Sequence, residues 1–137
     1  MKNNSNLSIL VIDDDPVTRF IHQKLIALID IKIFYSEAIN GKRALDMITN
    51  KEIPFPDIIL VDINMPVMDG FQFIRNFKKL YGSEHTQLVI VSSSQCAIDI
   101  KIGISLGADH FVSKPISKID LNFVIGETLL PNLPYVA

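Results

Sequence analysis

The side chains able to do chemistry in this chain are carboxylates, one ammonium and one hydroxyl, and each stands at the end of a short apolar run. Leu7 to Ile12 stops on Asp13, Asp14 and Asp15, and Ile58 to Val61 stops on Asp62. Gln87 to Val91 stops on Ser92, Ser93 and Ser94, and His110 to Ser113 is followed by Lys114. Runs of this kind, β-branched and without polar alternation, read as strands buried on both faces of a parallel sheet. Parallel strands place these ends on one edge, where open α/β sheets bind their ligands. Asp13, Asp14, Asp62, Ser92 and Lys114 then converge on one pocket. Two like charges about 4 Å apart repel by on the order of 4 kcal/mol at an effective dielectric near 20, so three carboxylates require counter-charge. Lys114 neutralises one, which leaves the rest to a divalent cation. A donor set made only of oxygen, with no His or Cys, favours Mg2+ or Mn2+ over zinc. The pocket therefore suits a metal site with a carboxylate nucleophile facing outward.

Taken singly, each residue has a plainer explanation. Asp15 is a helix cap, Asp13 or Asp14 a solvated strand end, Asp62 a strand terminator, Ser92 to Ser94 a turn and Lys114 a surface charge. Their joint placement at neighbouring strand ends is what these explanations leave unaccounted for.

The elements that must position them follow from periodicity and punctuation. Pro16 suits the first turn of a helix capped by Asp15, with Phe20, Ile21, Lys24, Leu25 and Leu28 at three- and four-residue spacing to about Ile29. Ile31 to Tyr35 reads as the second strand, and Asn40-Gly41 opens a helix with Ala44, Leu45 and Ile48 on one side. After Asp62, Met65-Pro66 and Asp69-Gly70 force a turn, and Phe71 to Tyr81 forms a helix ended by Gly82 in a left-handed conformation. Ile98 to Leu106 forms the fourth helix, closed by Gly107, and Ser117 to Leu130 the fifth, with Leu121, Val124, Ile125 and Leu129 inward. Five strands alternating with five helices give a three-layer α/β domain, a (βα)5 doubly wound parallel sheet whose strand order the pattern leaves open.

The 137 residues accommodate one domain, with a core over about residues 7–130, a polar leader 1–6 and a short tail 131–137. The 48% hydrophobic and 20% charged content is ordinary for a globular domain, and a net charge of -2 gives no electrostatic case for nucleic acid or an anionic membrane. No apolar run approaches a membrane span, and a lone cysteine, Cys96, expected to be inert, suits a reducing, cytoplasmic compartment.

At this point the residues resemble a family: the receiver domains of two-component response regulators, of the single-domain, CheY-like type, over about residues 7–130. The resemblance rests on the acidic pair Asp13 and Asp14, on Asp62 within Asp-Ile-Asn-Met-Pro, on Asp69-Gly70, on Ser92 and on Lys114-Pro115. It implies a flavodoxin-like strand order 2-1-3-4-5 and Asp62 as phosphoacceptor. Asp14, Asp62 and the backbone carbonyl of Asn64 would hold Mg2+, with Asp13 acting through a water. Ser92 would bond a phosphoryl oxygen, Phe111 would turn from outside to inside, and the Lys114-Pro115 bond would be cis. The phosphodonor would be a phosphohistidine on a sensor histidine kinase or histidine phosphotransfer protein. Ser92 stands where Thr is more frequent and keeps the hydroxyl. Phe111 stands where Tyr is more frequent, which makes partner recognition more apolar.

The fourth helix carries two apolar stripes, Ile98, Ile102, Leu106 and Ile100, Ile104, where one would cover a sheet. The second is expected to remain exposed, so that Ile100, Ile104 and Phe111 contribute to a face of helix four, strand five and helix five that meets a downstream target or a second copy. A broad buried helix face is the alternative. Among other functions, a dehalogenase-type phosphatase needs Asp-x-Asp where this chain has Asn64, a nucleotide-binding loop lacks its glycines, and the contiguous Asp13 to Asp15 do not alternate as an EF-hand requires. The remaining alternative is a phosphorylation-independent interaction module that keeps the fold, against which the intact Asp14, Asp62, Ser92 and Lys114 argue.

Overall fold

The computed structural model describes residues 6–82 and 85–130, so the leader before Asn6 and the tail from Pro131 lie outside the described residues. The elements are β1 (Leu7–Ile12), α1 (Pro16–Ala27), β2 (Ile33–Ala38), α2 (Gly41–Thr49), β3 (Ile58–Val61), α3 (Gly70–Tyr81), β4 (Gln87–Ser92), α4 (Ala97–Ser105), β5 (His110–Ser113) and α5 (Lys118–Leu129). The strands pair in parallel in the order β2-β1-β3-β4-β5, the order that the resemblance implies.

Successive strand residues point to opposite faces, and here each face meets its own core. Leu7, Ile9 and Val11 of β1, Ile58 and Leu60 of β3, and Val89 and Val91 of β4 pack with Ile26 of α1 and Leu121, Val124 and Ile125 of α5. Leu10, Ile12, Ile59, Val61, Leu88 and Ile90 pack on the other face with Ala44, Met47 and Ile48 of α2 and Phe73, Ile74 and Phe77 of α3. Burial on both faces is why the strands show no polar alternation. Side chains of Asp15, Asn40, Asp69 and Ser117 accept the first free N–H groups of α1, α2, α3 and α5. Helix α4 begins at the exposed Cys96 without a side-chain cap.

Four local expectations are corrected. The second strand lies two to three residues later than its β-branched run, because its span is set by pairing with β1, Leu7 opposite Ile33 through Ile12 opposite Ala38. Gly82 is right-handed, with φ -55°; glycine serves there by close approach, since a Cβ would lie 2.6 Å from the Lys78 carbonyl oxygen. Gly107, by contrast, does take a left-handed φ of 107° after α4.

The buried row of α1 is Thr18, His22 and Ile26, while Phe20 and Leu28 of the expected apolar stripe are 58% and 74% exposed. In α4 the sole buried residue is Gly103, whose missing side chain lets the helix settle on Ile90: a Cβ would stand 2.5 Å from its Cδ1. The inward line is therefore Ile100, Gly103, Leu106, at three-residue spacing. Ile98, Ile102 and Ile104 are exposed and Ile100 is half-buried, which reverses the expected roles of Ile98, Ile102 and Ile100 and keeps that of Ile104. Among the described residues no helix is long and apolar enough to cross a membrane.

Candidate functional site

The sheet ladder carries the candidate site residues into place. One more main-chain bond continues the pairing past three strand ends: the Asp13 N–H donates to the Ala38 carbonyl (3.1 Å), the Asp62 N–H to the Ile12 carbonyl (2.9 Å) and the Lys114 N–H to the Ser92 carbonyl (2.9 Å). Asp62 is thus the rung after Val61, beside Asp13. Asp13 and Asp62 are buried and Asp14 is exposed at the rim. One carboxylate oxygen from each of Asp13, Asp14 and Asp62 lies within 4.8 Å of the other two. The Lys114 ammonium reaches across from β5, 2.9 Å from Asp13 Oδ2 and 3.3 Å from Asp62 Oδ2.

The remaining oxygens are held by local turns. Asp13 Oδ1 accepts the Asp15 N–H at 2.9 Å, and Asp62 Oδ1 the Asn64 N–H at 3.4 Å. Asp15 itself is the cap of α1, accepting from the Val17 N–H and the Thr18 hydroxyl. Those two bonds, Thr18 foremost, hold its carboxyl below the usual range, and the carboxylates that converge are Asp13, Asp14 and Asp62. Burial, followed by the charge of Asp13, raises the carboxyl of Asp62, against the opposing pull of Lys114. Burial alone would lower the Lys114 ammonium, but its bond to Asp13 and the charges of Asp13 and Asp62 raise it, so it remains protonated.

The loop after Asp62 is shaped by contact with α3. The Gly70 N–H donates to the Ile63 carbonyl at 2.9 Å, and a Cβ on Gly70 would stand 2.3 Å from the Asp62 carbonyl oxygen. Only glycine permits the helix to open this close to the strand end. Val67, at the exposed tip, takes a φ of 71°, uncommon for a β-branched residue.

Ser92 is buried, and its Oγ accepts the Ser94 N–H at 3.1 Å. Phe111 is half-buried against the α2/α3 core, beside Gly103, and the Lys114-Pro115 bond is cis. The structure thus brings together Asp13, Asp14, Asp62 and Lys114, with Ser92 on the same sheet edge. Ile100 and Ile104 lie apart on α4, and Asn64 is exposed in the loop after Asp62.

Helix α1 supplies two contacts that sequence reasoning missed. Arg19 Nη1 donates to the Asp13 carbonyl at 2.8 Å while Nε pairs with Glu37. One turn later, His22 is 1% exposed and its Nε2 accepts the Ile116 N–H at 3.2 Å. The available signal was a row of polar residues, Thr18 and His22, in a helix whose apolar residues sit elsewhere.

Comparison with known proteins agrees with this architecture. Residues 9–125 match the family model described as the response regulator receiver domain. The chain is 33% identical over 125 residues to the sensor histidine kinase CheAY of Helicobacter pylori, covering 91% of this chain and 15% of that protein. It is 30% identical over 121 residues to the two-component response regulator ORR41 of Oryza sativa subsp. japonica, covering 88% of this chain and 93% of that protein. Among solved structures, a two component response regulator from Cytophaga hutchinsonii superposes with a TM-score of 0.83 at 26% identity, over 93% of this chain and 98% of the other.

Proposed function

The chain belongs to the response regulator receiver domain family, and from that membership we propose that it accepts a phosphoryl group onto Asp62 and thereby switches a protein-interaction face. The observation that carries this reading is the Lys114 ammonium shared between Asp13 and Asp62, with Asp14 oxygen beside them. The donor would be a phosphohistidine on a sensor histidine kinase or a histidine phosphotransfer protein.

A carboxylate oxygen of Asp62 attacks phosphorus in line with the scissile P–N bond. That bond breaks, its electron pair leaves on the imidazole nitrogen, which takes up a proton, and an acyl phosphate remains on Asp62. Hydrolysis by water later restores the carboxylate and releases inorganic phosphate. Little covalent chemistry is asked of the protein, so the rate depends on positioning and charge cancellation. Lys114 is placed to pair with a phosphoryl oxygen once Asp62 gives up its own charge. The buried Ser92 hydroxyl would donate to another, drawing in the loop that its Oγ now holds through Ser94.

The oxygen-only cluster of Asp13, Asp14 and Asp62 fits a hard divalent cation, Mg2+ or Mn2+, which Asp14, Asp62 and the Asn64 backbone carbonyl would hold, with Asp13 acting through a water. Bound there, the ion would supply neutralisation of the phosphoryl oxygens. Movement of Phe111 beneath α4 would convey the change to the α4, β5 and α5 face, where Ile98, Ile102, Ile104 and Phe123 are exposed and Ile100 and Phe111 are half-buried. A downstream protein or a second copy would dock there, in the cytoplasm.

Incubation with Mg2+ and acetyl phosphate, followed by intact-mass measurement, tests the reading. Wild type is expected to gain one labile phosphoryl group and Asp62→Asn none. An unlabelled wild type would leave the phosphorylation-independent interaction module as the function of the fold.

A further inference from the structure

Lys114 can serve Asp62 only if the segment between β5 and α5 holds its backbone still, and the structure shows what holds it. On one side the Lys114 N–H is bonded to the Ser92 carbonyl at the end of β4. Pro115 has no N–H to offer. On the other side the Ile116 N–H is bonded to His22 Nε2, a side chain 94 residues away in sequence and 1% exposed. Both amide donors that flank Pro115 are therefore tied, one to the sheet and one to α1.

We propose that His22 is a positioning residue of the phosphotransfer site, fixing the Lys114-Pro115-Ile116 segment through Ile116 so that the ammonium bridges Asp13 and Asp62. The inference rests on the phosphoacceptor reading of Asp62. Three observations set it apart from a histidine that merely fills the core. First, Nε2 can accept an N–H only if it carries no proton, so the ring proton lies on Nδ1. That atom is buried and has no partner among the described residues, so the ring satisfies the Ile116 amide while its own donor goes unused. Second, burial holds the imidazole below its ordinary range against the opposing charge of Asp13, so the buried ring stays neutral and Nε2 remains able to accept the Ile116 N–H. Third, Arg19, one helical turn earlier, ties the Asp13 carbonyl, so a single face of α1 braces the acidic loop and the lysine loop together.

The test compares wild type, His22→Leu and His22→Gln, the last keeping an acceptor oxygen where Nε2 stands. Expected are an Nδ1–H tautomer for His22 in wild type by nitrogen NMR and slow hydrogen exchange at the Ile116 amide. In His22→Leu that protection is lost and phosphorylation by acetyl phosphate at saturating Mg2+ slows on the order of tenfold or more, as small misplacements of catalytic groups do. Mn2+ affinity, followed by electron paramagnetic resonance, stays within about twofold, because the carboxylates are untouched. His22→Gln restores both protection and rate to near wild type.

An Nε2–H tautomer in wild type would overturn the proposal without recourse to any variant. It would also fall if His22→Leu kept the wild-type rate, or if His22→Gln were as slow as His22→Leu. Should His22→Leu not fold, the tautomer and the His22→Gln rate still decide. A wild type that takes no phosphoryl group would overturn the phosphoacceptor reading, whereas unchanged Ile116 exchange in His22→Leu would overturn the positioning bond by itself.

Discussion

Asp62 sits where its own charge is disfavoured. Burial and the neighbouring Asp13 raise its carboxyl above the ordinary value, and Lys114 offsets this only in part. A carboxyl raised on folding binds its proton more tightly in the folded state, so its ionisation costs stability once the pH exceeds its folded value, and costs nothing below the unfolded value near 3.8. In metal-free protein, Asp62→Asn is therefore expected to raise the melting temperature at pH 7, with the gain vanishing as the pH falls below about 4. Denaturation in EDTA across that range checks the sign; a less stable Asp62→Asn at pH 7 would show that Lys114 outweighs burial. The gathering of Asp13, Asp14, Asp62 and Lys114 was legible in the sequence because each terminates an apolar run, and parallel pairing brings such ends together. His22 and Arg19 were not, because their partners are main-chain groups, Ile116 N–H and the Asp13 carbonyl, which leave no mark on residue type.

At the scale of elements, contact between α3 and the end of β3 leaves no room for a side chain. A Cβ on Gly70 would meet the Asp62 carbonyl oxygen at 2.3 Å and the Ile63 Cα at 2.9 Å, both backbone atoms that cannot rotate away. Gly70→Ala is expected to destabilise the fold by about 2–3 kcal/mol, the upper part of the overpacking range, and to weaken divalent-ion binding by displacing Asp62. Urea denaturation with a parallel Mn2+ titration reads both, and an unchanged midpoint would refute the clash. The succession of strands and helices along the chain followed from apolar runs, caps and turn residues, and their order in the sheet from the family resemblance, but helix faces followed from neither. Helix α1 buries Thr18 and His22 and leaves Phe20 outside, and α4 turns Gly103 inward among five isoleucine and leucine residues. In α1 the hydrogen bond from Ile116 to His22 and in α4 the close approach of Ile90 to Gly103 mark the inward face, and hydrophobic spacing reports neither. The late start of β2 likewise depends on its partner strand.

At the scale of the molecule, the backbone layer of the sheet separates two cores that, among the described residues, share no side chain. Ile48 in α2 and Ile125 in α5 belong to different cores, so Ile48→Val and Ile125→Val should each cost about 0.5–1.5 kcal/mol and add to within about 0.5 kcal/mol when combined. Phe73 and Phe77, stacked with centroids 5.8 Å apart in one core, should depart from additivity by more than that when both are changed to Leu. Urea midpoints of the two double-mutant cycles test this, and equal coupling in both would contradict the separation.

The clamp on the main chain of Asp62 has a further meaning. Its N–H is tied to Ile12 and its carbonyl lies beneath Gly70, so the proposed phosphoacceptor rests on an anvil. A group added to its side chain would press against backbone that has little room to yield. On the phosphoacceptor reading, the displacement would pass instead to the turn at Ser92 and Ser94, where the Ser94 N–H meets Ser92 Oγ, while the segment that His22 tethers stays in place. Rigidity beneath the proposed phosphoacceptor would thus give the signal its direction.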